Sequence, residues 1–201
     1  MGVGAVILAG GKSKRFGSDK ASALLKGQTF LDWSIESVAD LSKKIVIVKA
    51  TDQKLVYKKQ ELLIRDDLYP ERGPLAGIVT GFDSLDTELA VVIACDMPLI
   101  RPNLLAYIVD SMEDYDVVVP RVNGLLQPLV AVYRREICKN KFLCDVENGE
   151  NKIINSFDGL NVHEVDEDEI KLIDPLLMSF YNANTPSDFQ EIKNFVKREH
   201  E

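Results

Sequence analysis

Short apolar runs alternate with segments of helical periodicity along most of the chain, and this alternation limits the folds open to it. The runs Val3–Leu8 and Leu89–Ala94 contain no charged residue. Strands without a polar face belong to sheets that helices cover on both sides, as parallel sheets require. Apolar residues recur at helical spacing over residues 30–41, and another apolar run follows at residues 45–48. This part of the chain therefore predicts a βαβ unit.

The same alternation continues further along the chain. The predicted strands cover residues 3–8, 45–48, 62–64, 89–94, 116–120 and 128–133. The predicted helices cover residues 30–41, 53–59, 75–85, 103–112 and 186–197, whereas the pattern of residues 147–174 is polar and irregular. Asn123-Gly124 is a turn signal that favours an antiparallel pairing of the last two strands. The pattern predicts one α/β domain over residues 1–201, with a mostly parallel mixed sheet and ligands at the carboxyl ends of its strands.

Composition restricts the partners of such a domain. The 201 residues are 46% hydrophobic, which suits one domain with a substantial core. A net charge of −8 argues against duplex nucleic acid, because phosphate backbones bind basic surfaces, yet a small phosphorylated ligand needs only a local positive pocket. No apolar run reaches the ~20 residues that a membrane helix needs. Since no charged start of a signal peptide is present either, we expect a cytoplasmic protein without a membrane partner.

The turn after the first strand combines glycines with cations. Gly10 and Gly11 allow the backbone to approach a ligand closely. The cations that follow are Lys12, Lys14, Arg15 and Lys20. Together these residues favour a polyphosphate ligand over an ordinary glycine turn with solvated lysines. The spacing fits neither the G-x-G-x-x-G dinucleotide fingerprint nor the G-x-x-x-x-G-K-[ST] P-loop.

Asp96 follows the most apolar of the predicted strands, within the segment Cys95-Asp96-Met97-Pro98. A carboxylate at this point would emerge at the same edge of the sheet as the glycine turn, where a metal ion can bridge it to phosphates. Taken alone, a capping or loop aspartate is an equal alternative. Beside the glycine turn, the metal interpretation is favoured.

Two further segments are weaker candidates. Gly73 and Pro74 shape the entry into a predicted helix whose free amides could face an anion, although a plain helix start is the stronger local interpretation. Asn182 and Asn184 lie two residues apart, so that both amides point the same way in an extended stretch. Asparagines before a helix are more often turn formers. No nucleophile triad is visible, and the acidic residues 164–169 favour a solvated face.

Taken together, these motifs resemble those of the molybdenum cofactor guanylyltransferases. The resemblance rests on L-A-G-G-K-S-K-R-F-G-S-D-K at residues 8–20, G-P-L-A-G at 73–77, C-D-M-P at 95–98, Q-P-L at 127–129 and N-A-N-T-P at 182–186. Their order and spacing match along nearly the whole chain. The resemblance implies a Rossmann-like, three-layer α/β/α fold of the GT-A-like nucleotidyltransferase type.

A reaction is also implied by the resemblance. The terminal phosphate of molybdenum-bound molybdopterin would attack the α-phosphate of GTP, giving the guanine dinucleotide cofactor and pyrophosphate. Such a transfer needs positioning and charge neutralisation more than covalent catalysis. Mg²⁺ would be the cofactor, GTP and molybdopterin the substrates, and molybdoenzyme apoproteins or cofactor chaperones transient protein partners. Related cytidylyltransferases read L-A-A-G where Gly10 stands here, and the glycine would leave room for a purine.

The resemblance assigns the site residues as follows. GTP would be bound by Leu8, Ala9, Gly10, Gly11, Lys20, Asp66 and Asp96. The first three would contact the base, Asp66 the ribose or the base edge, and Lys20 with Arg15 the phosphates. Catalysis would depend on Arg15, Lys20 and Asp96, with Asp96 also as the Mg²⁺ ligand. The residues toward the pterin would be Gln127, Asn182 and Asn184.

Other interpretations stay open. One is a cytidylyltransferase for the same cofactor or a sugar-phosphate nucleotidyltransferase, which would share the fold and the first motif. Another is a non-catalytic GTP-binding protein that delivers the cofactor. The asparagine that usually contacts the nucleotide from the second strand is absent, and either Lys49 or Thr51 would replace it.

Overall fold

The computed structural model describes residues 2–10, 20–53, 55 and 62–198, without the side chain of Lys20. The helices in these ranges are α1 (Phe30–Val38), α2 (Gly73–Asp83), α3 (Pro102–Asp110), α4 (Arg135–Glu147), α5 (Glu167–Lys171) and α6 (Pro186–Arg198), with short 3₁₀ helices at Lys20–Ser22, Ile153–Phe157 and Met178–Phe180. The strands are β1 (Val3–Leu8), β2 (Leu24–Leu25), β3 (Gln28–Thr29), β4 (Lys44–Lys49), β5 (Leu62–Asp66), β6 (Leu89–Ala94), β7 (Val117–Val122), β8 (Leu125–Leu126), β9 (Val130–Arg134) and β10 (Val162–Val165). None of the described helices is long and apolar enough to cross a membrane.

A mixed sheet organises the fold. Its strand order is β10-β7-β9-β6-β1-β4-β5, and β8 pairs with β7. β1 lies between β4 and β6 and is parallel to both, whereas β9 is antiparallel to β6 and to β7. The predicted mostly parallel mixed sheet is therefore confirmed. The carboxyl ends of β1, β4, β5 and β6 meet at one edge, together with the amino end of β9.

Helices cover both faces of the sheet, which confirms the predicted three layers. On one face, Ile7 of β1 and Ile93 of β6 belong to a buried cluster with residues of α1, α3 and α5. On the other face, Val6 and Val92 pack with residues of α2 and α4. The alternation follows from the strand itself, because successive side chains point to opposite faces. Neither face is left to water, which explains why β1 and β6 are apolar throughout.

α2 lies unusually close to β1. Gly81 of α2 faces Val6, and a Cβ atom built on Gly81 would lie 2.7 Å from Val6 Cγ2 and closer still to Cγ1. Real side chains avoid such contacts, so only glycine fits here without a shift of the helix. Close packing also fixes where α2 begins relative to the carboxyl edge of the sheet.

Residues 147–174 are more regular than their sequence predicts, so that prediction is wrong. β10 pairs in parallel with β7, and α5 follows it. Only Val165 and Ile170 of these two elements are buried, which leaves too sparse an apolar pattern to be recognised. Asp166 caps α5 in a capping box with Glu169, so part of the acidic run serves the helix start. The predicted helix at residues 53–59 lies largely outside the described residues.

The Asn123-Gly124 turn is confirmed as the tip of a hairpin. Both residues have positive φ angles, 51° and 76°, which the tight turns of hairpins require. The hairpin joins β7 to β8, and β9, a few residues further on, also pairs antiparallel with β7, whose opposite side is occupied by β10. The predicted antiparallel pairing of the two longer strands, β7 and β9, is confirmed.

Candidate functional site

A cavity of ≈ 900 Å³ opens at the carboxyl edge of the sheet. Its walls come from the ends of β1, β4 and β6, the loop after β5, the start of α2 and the residue before β9. The lining residues are Leu8, Ala9, Gly10, Val48, Lys49, Ala50, Thr51, Asp52, Asp67, Pro70, Glu71, Gly73, Pro74, Gly77, Ala94, Cys95, Asp96 and Leu129. A smaller cavity of ≈ 260 Å³ lies between α1, α6 and the loop before α3, and none of the predicted site residues lines it.

The turn after β1 is fixed to the end of β4 by hydrogen bonds. The Ala9 amide donates to the Val48 carbonyl over 2.8 Å. Gln53 bridges the two chain segments, because its Nε2 donates to the Ala9 carbonyl over 3.1 Å and its Oε1 accepts from the Ala50 amide over 3.3 Å. Ala9 and Ala50 therefore form one wall of defined shape.

Gly10 is required by the packing of this wall. A Cβ atom built on Gly10 would lie 2.9 Å from the backbone nitrogen of Ala50, and the backbone cannot rotate away as a side chain can. The chain's own β4 end thus explains the absence of a side chain here. Whether the glycine also makes room for a purine stays a prediction.

Replacing Gly10 by alanine is expected to raise the KM for the nucleotide about tenfold, since a displaced wall misplaces the ligand. The measurement is a steady-state titration with GTP. Gly2→Ala is the matched control, because a Cβ atom there meets only Thr87, at 3.8 Å or more. Equal KM values in the two variants would contradict this role of Gly10.

Lys49 and Asp66 stand side by side at the ends of β4 and β5, in register with each other. The Lys49 ammonium donates a short hydrogen bond to Asp66 Oδ1 and a longer one, of 3.4 Å, to the Ala50 carbonyl. The Lys49 side chain is 15% exposed and lines the cavity, whereas that of Asp66 is 56% exposed and does not. Asp66, which was predicted to contact the nucleotide, thus does not line the cavity itself but holds Lys49, which does.

Asp67 lines the cavity directly, and sequence reasoning missed it. Its Oδ1 accepts from the Tyr69 amide over 3.0 Å and from the hydroxyl of Thr80, a buried residue of α2, over 3.3 Å. The Thr80 hydroxyl also accepts from the Leu68 amide over 3.1 Å. These bonds orient the Asp67 carboxylate beside the cavity.

The start of α2 forms another part of the wall. Gly73 has φ +78°, and a Cβ atom on it would lie 3.2 Å from the Asn151 carbonyl oxygen. Pro74 stands in the first turn, and no side chain caps the helix at Arg72. Free amides at the positive end of a helix attract anions. The helix start that the sequence weakly predicted to bind an anion, at Gly73 and Pro74, is therefore part of the cavity wall.

Asp96 lies in the turn after β6. The Cys95 amide donates to the Leu8 carbonyl over 3.0 Å, which joins this turn to the end of β1. Asp96 is half-buried and lines the cavity. Nowhere in the described ranges do three His, Cys, Asp or Glu side chains converge as a metal cage. Mg²⁺ is commonly held by one or two carboxylates together with substrate phosphates, so the donors at Asp96 fit an ion shared with a phosphorylated ligand.

None of the residues predicted to face the pterin lines the cavity. The backbone amide of Ala183, between Asn182 and Asn184, donates to the Asp96 carbonyl over 2.9 Å. Asn182 is half-buried and Asn184 is exposed. The Gln127 side chain donates to the Leu125 carbonyl over 3.3 Å, and the cavity is reached by Leu129 instead.

The structure brings four of the predicted residues into one wall: Leu8, Ala9, Gly10 and Asp96. Gly11, Arg15 and the side chain of Lys20 lie outside the described residues. His163 stacks on Tyr115 at 4.7 Å and does not line the cavity, and His200 lies outside the described residues. The described site therefore offers positioning groups, carboxylates and helix amides.

Residues 5–160 match the family model of the MobA-like NTP transferase domain. A relative from Desulfosudis oleivorans named molybdenum cofactor guanylyltransferase is 34% identical over 194 residues, which cover 96% of this chain and 95% of the relative. The crystal structure of molybdopterin-guanine dinucleotide biosynthesis protein A from Archaeoglobus fulgidus has a TM-score of 0.81 at 25% identity, covering 97% of this chain and 99% of that one. At 13% identity, 2-C-methyl-D-erythritol 4-phosphate cytidylyltransferase from Thermus thermophilus shares the fold, with a TM-score of 0.73 and coverage of 98% and 100%.

Proposed function

The chain belongs to the MobA-like NTP transferase family, as a nucleotidyltransferase of the molybdenum cofactor guanylyltransferase type, and from that premise we propose that it transfers GMP from GTP to the terminal phosphate of molybdenum-bound molybdopterin. The products are the guanine dinucleotide cofactor and pyrophosphate. One observation carries the proposal: Leu8 to Gly10 and Asp96, distant in sequence, line the same ≈ 900 Å³ cavity. Residues 1–201 act in this proposal as one catalytic domain, and the reaction takes place in the cytoplasm, where GTP is available.

The cavity suggests a direction for the nucleotide. The base would lie against the wall formed by Gly10, Lys49 and Ala50, with the triphosphate toward Asp96 and the cations Arg15 and Lys20. Asp96 would hold Mg²⁺ together with the phosphate oxygens. Bound there, the ion would neutralise charge on the α-phosphate and on the departing pyrophosphate.

The acceptor would approach from the side of Gln127, Asn182 and Asn184. Its terminal phosphate is already an anion at neutral pH, so the attack on the α-phosphate requires no general base. A reaction without a general base suits a site whose described residues orient the substrates and neutralise their charge rather than transfer protons.

The test is a transfer assay with purified protein, Mg²⁺ and molybdopterin, in which pyrophosphate release and the dinucleotide product are both measured. GTP is expected to be used in strong preference to CTP and UTP, and molybdopterin in preference to sugar 1-phosphates. Preference for CTP would favour a cytidylyltransferase, and use of a sugar acceptor would favour a sugar-phosphate enzyme. Binding of GTP without any pyrophosphate release would favour a non-catalytic delivery protein.

Lys49 is expected to contribute to base selection. Its ammonium is held at the cavity wall by Asp66, and a cation there suits O6 and N7 of guanine, whereas adenine offers a donor at the first position. Since a hydrogen bond to a charged group contributes about 1.5–3 kcal/mol, Lys49→Met should reduce the preference for GTP over ATP by about tenfold or more. The measurement is the ratio of kcat/KM for the two nucleotides.

Lys44→Met is the matched control. Lys44 begins the same strand at the opposite edge of the sheet and pairs with Asp86, where both side chains are well exposed. It should leave the GTP preference unchanged. If Thr51→Val lowers the preference and Lys49→Met does not, Thr51 is the residue that replaces the family's asparagine.

A further inference from the structure

Asp174 is the one charged residue among the fully buried residues of the described ranges, with no exposed surface. It lies between α5 and the 3₁₀ helix Met178–Phe180. Burying a carboxylate is costly unless it is paired and hydrogen-bonded. Its Oδ2 accepts from the Ser179 amide over 2.7 Å, and its Oδ1 accepts from Arg101 Nε over 3.3 Å. Asp174 therefore joins two distant parts of the chain inside the protein.

Arg101 stands five residues after Asp96, directly before α3. Its side chain reaches Asp174, and its backbone amide donates to the hydroxyl of the fully buried Ser179 over 3.1 Å. The loop that leaves Asp96 is thus bound to the segment 174–179 by both the main chain and the side chain of one residue. We refer to Arg101, Asp174 and Ser179 as the clamp.

The same two parts of the chain meet a second time at the site itself. The Ala183 amide donates to the Asp96 carbonyl, and the fully buried Ala183 side chain packs with Phe30 and Ile192 in a cluster that anchors α6. Asn182 and Asn184 flank Ala183. The clamp at one end and the bond from Ala183 to Asp96 at the other thus hold the asparagine segment beside the Asp96 turn.

We propose that Arg101 and Asp174 are positioning residues, which keep Asn182 and Asn184 in register with Asp96 and so set how the acceptor is placed. The inference rests on the proposed function in assigning the asparagines to the acceptor. The wall proposed for the base is built from β1 and β4, which do not contribute to the clamp, and the Asp96 turn is also tied to β1 by the hydrogen bond from the Cys95 amide to the Leu8 carbonyl. Loosening the clamp therefore displaces the acceptor's side of the site and leaves the nucleotide's side in place.

The test separates these two sides. Asp174→Asn keeps the shape of the side chain and an oxygen for the Ser179 amide but removes the charge that holds Arg101. We expect kcat/KM for molybdopterin to fall about tenfold or more, because small misplacements of reacting groups are costly. The Kd for GTP with Mg²⁺, measured calorimetrically without acceptor, should stay within about twofold, because the residues of the base wall are not part of the clamp and are not misplaced.

Two further variants guard against a trivial loss of folding. Ser179→Ala removes only the hydroxyl that accepts from the Arg101 amide. It should lower kcat/KM for molybdopterin by a smaller factor than Asp174→Asn does and leave the Kd for GTP unchanged. Arg101→Lys should retain more acceptor efficiency than Arg101→Ala, since it keeps the charge beside Asp174.

Glu169→Gln is the matched control. Glu169 Oε2 accepts from the Tyr107 hydroxyl over 2.6 Å, so it also joins α3 to the segment after β10, but it does not lead to the asparagines. It should change neither the acceptor efficiency nor the GTP affinity.

Equal losses of GTP affinity and acceptor efficiency in Asp174→Asn and Ser179→Ala would overturn the proposal, and so would no loss in either variant. If the wild-type protein proves to use another acceptor, the proposed function fails, and the clamp is tested with that acceptor in the same comparison.

Discussion

Asp96→Asn is expected to lower the rate of nucleotidyl transfer by about 10²–10³-fold, the size of effect seen when a preorganised electrostatic group is removed. The amide has nearly the same volume as the carboxylate, and the bond from Ala183 to the Asp96 backbone carbonyl does not depend on the side chain. The fold should therefore persist while the charge that balances Mg²⁺ is lost. The measurement is pyrophosphate release at saturating GTP and molybdopterin.

The dependence of the transfer rate on the Mg²⁺ concentration gives a second measurement on the Asp96→Asn variant. Loss of a protein ligand should move the half-saturating Mg²⁺ concentration upward, because fewer donors remain to share the ion with the phosphates. Asp86→Asn is the control, since Asp86 is exposed at the opposite edge of the sheet and pairs with Lys44. Pyrophosphate release that survives Asp96→Asn unchanged would exclude the proposed metal role.

Gly81→Ala is expected to destabilise the protein by about 2 kcal/mol, because overpacking typically costs about 1–3 kcal/mol and the gain in helix propensity offsets only part of it. The added Cβ atom would press on Val6, whose branched side chain has little rotamer freedom on a strand. For a chain of this size, that change should lower the Tm by about 4–8 °C. Thermal unfolding followed by circular dichroism measures it.

Two comparisons locate the cause of this loss. A Cβ atom on Gly77, on the same helix, would lie 3.2 Å from Leu8 Cδ2, the far end of a flexible side chain, so Gly77→Ala should cost less. Val6→Ala in the Gly81→Ala background removes the opposing atoms, and the two changes should be clearly non-additive. Additive losses would mean that the contact with Val6 is not the reason for the glycine.

The central part of the fold was predictable because its strands are buried on both faces. The predicted strands at Val3–Leu8 and Leu89–Ala94 coincide with β1 and β6, since each lies between two helical layers. α4 was not predicted, because its buried residues Cys138, Phe142 and Val146 form a thin stripe on a largely polar helix. Apolar periodicity in a sequence reflects the burial of side chains, so it does not reveal a helix or strand that buries only a few of them.

The site was predictable where the backbone alone places it. The ends of β1 and β6 converge because the strands are neighbours and parallel, so Gly10 and Asp96 share a wall. Asp67 was missed because the choice between it and Asp66 depends on Thr80, a residue of another element. Lys49 likewise becomes a wall residue through its pairing with Asp66. The assignments of Gln127, Asn182 and Asn184 remain predictions.

The position of β1 in the sheet has a consequence for how the protein is made. Both of its neighbours come later in the chain, β4 at Lys44–Lys49 and β6 at Leu89–Ala94. As the chain leaves the ribosome, the apolar β1 segment has to wait for partners that must be brought back over long loops, a slow step in folding. The part of the cavity wall that joins Gly10 to Asp96 can therefore form only after β6 has been added. Until then one edge of the apolar β1 strand lacks its partner, and unpaired strand edges favour aggregation.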